Sequence, residues 1–224
     1  SAKSKETGII FVGQITDSHN LYSFPMILPL TENIIELRIT LDKSNPPISR
    51  LIRVRNTMSF FELHHVIQIA FGWHNSHLFE FNYDTYTIGL PNPEMEGSVV
   101  TIDSRDILLG GLLTAPKERF TYLYDFGDSW LHILEVKKIL PIDNAVYPLC
   151  VGGENACPPE DSGGIGGFYE KIAILKEKKH PEYKETKTWM GKFNIDRWNR
   201  GAVNKELARL DKYIENWMGE QRPF

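Results

Sequence analysis

Between residues 35 and 72 the hydrophobic period of this chain switches from two to 3.6, and that switch constrains its fold more than any other feature. Ile35, Leu37, Ile39 and Leu41 alternate with Glu36, Arg38, Thr40 and Asp42, the pattern of a strand with one wet face. Asn45-Pro46-Pro47 interrupts pairing, and Leu51 to Arg55 resumes it with Ile52 and Val54 on one face and Arg50, Arg53 and Arg55 read on the outward side. The two strands predict a hairpin. Ser59 with Glu62 three residues on is a capping box, and Phe60, Leu63, Val66, Ile67 and Ala70 form a helical stripe that stops at Gly72. Strands follow at Leu78 to Tyr83 and Tyr86 to Ile88. Strand, strand, helix, strand is the opening of a β-grasp-like roll.

The rest of the chain repeats the theme more loosely. Pro91, Pro93 and Gly97 mark a loop before a strand at Val99 to Ile102, and a short helical turn is expected near Ile107 to Leu113. Phe120, Tyr122 and Tyr124 alternate with polar and aliphatic neighbours, as does Trp130 to Leu140, which predicts a second hairpin with Asp125-Phe126-Gly127-Asp128-Ser129 at its tip. Residues 141–167 concentrate Gly and Pro and are read as a loop. Three helices are expected after it: from Gly167 to about Lys178, from Pro181 to near Gly191, and one carrying Val203, Leu207, Leu210, Ile214 and Trp217 that closes at Gly219. The expectation is an α+β protein. One domain spans 33–219, sheet-rich to about 140, with the motif loop at 141–167 and helices over 168–219. Residues 1–32 form an N-terminal extension with a short strand at Gly8 to Val12.

Composition removes several classes of protein. With 5 Trp, 9 Tyr and 12 Phe in 224 residues, a core can be built without cross-links, and two cysteines exclude a disulfide-dense secreted scaffold. No stretch approaches the roughly 18 apolar residues of a membrane span, and the first thirty residues lack the order of a signal peptide. A soluble, cytoplasmic protein without membrane contact is expected. The formal charge of −4 hides an asymmetry. Residues 1–169 hold 12 basic and 20 acidic residues, whereas residues 170–224 hold 13 and 9. The basic C-terminal helices offer a protein partner or nucleic acid a surface, or simply pack on the acidic part.

Three segments carry candidate chemistry. At the second hairpin tip, Asp125 and Asp128 sit close together with His132 a little way down one strand, a set suited to a divalent cation or to general-base work; Asp and Gly also favour turns for local reasons. The embedded Asp-Phe-Gly lacks the companion motifs of a kinase. After the first helix, His74 and His77 have metal-site spacing, with His77 a ligand or catalytic candidate and a polar turn the plainer alternative. In the third segment six residues separate Cys150 from Cys157, wider than zinc knuckles; zinc would need His77 and His132 as partners, and a disulfide or two packed free thiols are the alternatives. Glu160 and Asp161 follow as further candidate metal ligands. Gly163-Gly164-Ile165-Gly166-Gly167 runs into a helix but lacks the Gly-Lys-Ser/Thr of a nucleotide loop.

Several of these motifs occur in an order that resembles the plasmid pRiA4b ORF-3-like family: Pro46-Pro47-Ile48-Ser49-Arg50, Gly72-Trp73 with Ser76-His77-Leu78 and Glu80-Phe81, the Tyr124 to His132 tip, and Cys150 with Cys157-Pro158-Pro159-Glu160-Asp161 and Gly163-Gly164. The resemblance covers roughly residues 33 to 210. It implies an association with plasmids and mobile elements and no defined activity. Position 162 is Ser where relatives carry an apolar residue or a further Cys, which weighs against a three-cysteine metal site. Two functions are therefore carried forward. The first is a non-enzymatic binding or accessory module in which a polar network locks three long loops together, with no cofactor beyond a possible divalent cation. The alternative is a divalent-cation-dependent hydrolase of phosphoesterase or nuclease type, with Asp125, Asp128 and Glu160 or Asp161 holding the metal and His77 or His132 moving a proton.

Overall fold

Nine residues, Asn33–Leu41, form the strand β3 at the centre of the architecture, hydrogen-bonded on one side to β4 (Ser49–Arg55) and on the other to β9 (Trp130–Pro141). The structure, a computed structural model, describes residues 14–17, 20–23, 31–91 and 101–220. The strand expected at Gly8 to Val12 lies outside them. Backbone segments β1 (Gln14–Asp17) and β2 (Asn20–Ser23) pair antiparallel with each other. The remaining strands are β5 (Phe79–Tyr83), β6 (Tyr86–Gly89), β7 (Thr101–Asp103), β8 (Arg119–Tyr124) and β10 (Leu149–Glu154). With β3, β4 and β9 they make an eight-stranded sheet in the order β10-β4-β3-β9-β8-β5-β6-β7, antiparallel except for the β6/β7 pair.

Both predicted hairpins form. Thr40 pairs with Ser49 in the first, and Tyr124 pairs with Trp130 across the five-residue acidic tip of the second. Helix α1 (Phe60–Phe71) starts and stops where its caps dictate: the Ser59 hydroxyl accepts from Glu62 N, the Glu62 carboxylate accepts from Ser59 N, and Gly72 ends the helix at φ 84°. Its apolar stripe enters one continuous core with Leu37, Ile39, Ile52, Phe81, Tyr122 and Leu134 from the sheet. A four-residue helix α2 (Leu109–Leu112) sits at the expected turn.

Two expectations need correction. Within the segment read as loop, Leu149–Glu154 pairs with β4 as an edge strand, with a bulge between Cys150 and Gly152. Glycines lower strand propensity, but a Cβ at Gly153 would come within 2.9 Å of the Trp198 ring, so the space is needed by a residue distant in sequence. The last expected helix is two, α5 (Arg200–Leu207) and α6 (Leu210–Glu220), because Arg209 N bonds to Glu206 O and tightens one turn without disturbing the apolar spacing. With α3 (Gly164–Lys176) and α4 (Tyr183–Met190), four helices follow the sheet.

Helix α1 packs against α5 and α6, and α5 also contacts β10. On strand faces away from the core, charged pairs stand in rows: Glu36 with Arg53 at 2.8 Å and Lys138 at 3.4 Å, and Glu135 with Arg119 and Lys137. That division of faces is what one-sided antiparallel sheets require. Among the described residues no helix is long and apolar enough to cross a membrane.

Candidate functional site

Three loops meet at one end of the sheet. They are residues 72–78 after α1, the tip 125–129 between β8 and β9, and 157–164 before α3. Trp73 Nε1 donates to Pro158 O at 3.0 Å, which ties the first loop to the third. Tyr124 donates its hydroxyl proton to Glu160 Oε1 at 2.5 Å while accepting from Ser76 N, and His74 N donates to the same Glu160 oxygen. Burial and the Glu160 carboxylate both push the Tyr124 phenol up, so it stays a donor. Gly163 N donates to Asp128 Oδ2 at 3.0 Å, and Asp125 N to Leu78 O at 2.9 Å. Gly164, at φ 67°, lies so close to Asp128 that an added Cβ would collide with the Asp128 carbonyl oxygen.

These ties bring His77, Asp125 and Asp161 together. His77 Nε2 lies 3.6 Å from Asp125 Oδ2 and 3.5 Å from Asp161 Oδ1, and all three ligand atoms fall within 4.8 Å of one another. Metal bonds of about 2.1 Å place neighbouring ligands of a tetrahedral ion ~3.4 Å apart, so one ion fits between the three with small adjustments. The separations are too long for direct hydrogen bonds. Asp125 is mostly buried and held at φ 56°; its Oδ1 accepts from Gly127 N and Asp128 N, which leaves Oδ2 turned toward His77. The Asp161 side chain is 77% exposed and the His77 side chain 32%, so the group opens to solvent on the Asp161 side. One imidazole and two carboxylates suit a divalent ion such as Mn²⁺, Fe²⁺ or Zn²⁺ better than an ion that prefers oxygen alone.

The other sequence candidates stand elsewhere. Asp128 and Glu160 spend oxygens on the loop ties just described. His132 lies inside the core, its Nδ1 bonded to Trp130 O and its ring against Phe71, Trp73 and Tyr122; burial lowers its pKa to about 3. It therefore does not join the acidic tip, because even-numbered residues of β9 face inward there. Cys150 and Cys157 are buried free thiols, both pushed up by burial, and Cys150 Sγ donates to Gly152 O.

Arg50 corrects the reading of β4. It shares the inward face with Ile52 and Val54, is 1% exposed, and donates to the carbonyls of Ser49, Ala70, Glu154 and Asn155 between the rings of Phe71 and Trp198. Burial lowers its pKa to about 10. Sequence reasoning assigns no role to Asn75 and reads Tyr124 only as an aromatic of the tip motif, because the parts both play depend on contacts between distant segments. The only local signal at Asn75 was a residue type that tolerates positive φ, here 60°.

Fold and site together define an α+β protein with a helix-covered, mostly antiparallel sheet and a three-loop junction that bears a His-Asp-Asp group. The chain belongs to the plasmid pRiA4b ORF-3-like family, whose model matches residues 33–204. It is 34% identical over 188 residues to the uncharacterized protein y4hQ of Sinorhizobium fredii, covering 84% of this chain and 93% of that one. The crystal structure of the protein of unknown function MM3350 from Methanosarcina mazei Go1 is similar at a TM-score of 0.69 and 30% identity, over 76% of this chain and 97% of that one.

Proposed function

We propose that this protein is a non-enzymatic binding or accessory module that works through its three-loop junction, where His77, Asp125 and Asp161 take a divalent cation. The observation that carries the reading is the approach of His77 Nε2 to carboxylate oxygens from two other loops, at 3.6 and 3.5 Å. A cation there would cross-link loops already tied by hydrogen bonds and would leave coordination positions open on the Asp161 side for a partner. Two buried free thiols favour a reducing compartment, the cytoplasm. The basic helices after residue 170 remain a secondary surface for an anionic partner, nucleic acid included.

The competing reading is a cation-dependent hydrolase. It needs a proton-carrying group beside the cation and a concave place for substrate. His132 faces Phe71 and Trp73 instead, and two cavities among the described residues open elsewhere, one beside Lys117 and Glu135, the other between Tyr147 and Leu210. Purified protein loaded with Mn²⁺ or Zn²⁺ should bind the ion without hydrolysing phosphomonoester, phosphodiester or single-stranded DNA substrates. Cation-dependent turnover that Asp161→Ala abolishes would replace the module by the hydrolase.

A further inference from the structure

Asn75 is buried at φ 60°, two residues before His77, and its polar atoms are almost all engaged. Its backbone N–H can only donate, and it donates to Gln68 Oε1 at 3.0 Å. That contact fixes the Gln68 amide so that Nε2 donates to the Tyr122 hydroxyl at 2.9 Å. The Tyr122 oxygen, already accepting, sends its own proton to His64 Nδ1 at 2.8 Å. His64 then carries its proton on Nε2 and donates to Asn75 Oδ1 at 2.6 Å. The chain of donors closes on the residue where it began.

All four members are buried, and the His64 ring lies flat on Phe79, the first residue of β5, at 3.6 Å between centroids. Asn75 O accepts from Trp217 Nε1 of α6 at 3.1 Å. Only Asn75 Nδ2 lacks a partner, so the position is occupied for its acceptor oxygen and its tolerance of positive φ, at the cost of one orphan donor. Ring, stacked strand and α6 thus hold one residue from three sides, and His77 leaves that residue toward Asp125 and Asp161.

We propose that Asn75 is the positioning residue of the cation group: the closed ring through Gln68, Tyr122 and His64 sets the affinity of His77, Asp125 and Asp161 without touching the ion. This rests on the cation reading above. Groups that orient metal ligands typically change affinity by about 10–100-fold when removed.

The full chain and three variants decide it. Asn75→Gly keeps the backbone bonds and the positive φ but removes the acceptor; Tyr122→Phe removes the hydroxyl that joins Gln68 to His64. Tyr83→Phe is the control, since it loses a comparable bond to Leu112 O away from the junction. By Mn²⁺ titration followed by electron paramagnetic resonance, the first two should bind about tenfold more weakly and the control as wild type. Amide hydrogen exchange of residues 76–78 without added metal should quicken in the first two and stay unchanged in the control. If wild type binds Mn²⁺ and Asn75→Gly and Tyr122→Phe match it, the proposal is overturned. If wild type binds no ion, the cation reading fails, and the exchange data decide whether the ring positions the His77 loop: unchanged exchange in both variants overturns that too.

Discussion

The Tyr124 hydroxyl donates to Glu160 Oε1 at 2.5 Å, and that contact ties a strand end to a loop 36 residues further on. Because the Tyr124 hydroxyl oxygen also accepts from Ser76 N, three loops converge on a single phenol. Hydrogen bonds to charged groups contribute about 1.5–3 kcal/mol, and the Tyr124 bond is half-buried, so Tyr124→Phe should cost about 2 kcal/mol in urea unfolding. A loss below ~0.5 kcal/mol would mean that the loops hold together without it.

Arg50 should be worth more than any surface charge. Arg50→Met leaves four carbonyl oxygens without their donor and removes the guanidinium from between Phe71 and Trp198; a loss on the order of 3 kcal/mol is expected. Arg50→Lys should recover only part of it, since one ammonium cannot reach carbonyls on two sides. Chemical denaturation of the three proteins side by side tests this.

Acid should destabilise the fold early. Burial lowers His132 to about 3 and His65 to about 4, and drives His64 well below its ordinary 6.5, so the native state keeps all three neutral where the unfolded chain takes up protons. The unfolded state then binds more protons, and stability rises with pH. Their contribution is complete above pH 6.5 and is lost as pH falls toward 4, by up to about 1.4 kcal/mol per pH unit for each histidine. His132→Gln should flatten the slope of unfolding free energy against pH in that window by roughly one such increment. An unchanged slope would show that His132 is charged in the native state.

How far could the sequence alone have reached? The two hairpins and α1 were readable because their signals are local: alternation at Ile35 to Leu41, the Ser59/Glu62 box and the stop at Gly72. Strand β10 was hidden because Gly152 and Gly153 look like loop residues until Trp198 is placed over them. The break between α5 and α6 leaves Leu207 and Leu210 in the same apolar rhythm as an unbroken helix. At the site, His77, Asp125 and Asp161 were all nominated, yet nothing local separates Asp125, whose Oδ2 stays free, from Asp128, which is bonded to Gly163 N. His132 was likewise indistinguishable from a surface ligand until β9 showed which face it takes.

Gly164→Ala should act on loop packing at the junction. Its φ of 67° and the nearby Asp128 carbonyl leave no room for a methyl group, so the third loop must shift. The expected result is a stability loss above about 1 kcal/mol together with weaker cation binding, whereas Gly166→Ala, inside α3 with open space around it, should raise stability slightly and leave cation binding unchanged. Thermal unfolding and Mn²⁺ titration of the pair would expose a misplaced loop if both behaved alike.

The most direct test is metal stoichiometry and affinity, by calorimetric titration of metal-free protein with Mn²⁺ and Zn²⁺, in wild type and in His77→Ala, Asp125→Ala, Asp161→Ala and His132→Ala. A single ion should bind wild type and His132→Ala, and each of the other three substitutions should abolish or severely weaken it. Absence of binding by wild type, or binding that survives the loss of His77 and Asp161, would contradict the cation site at the three-loop junction.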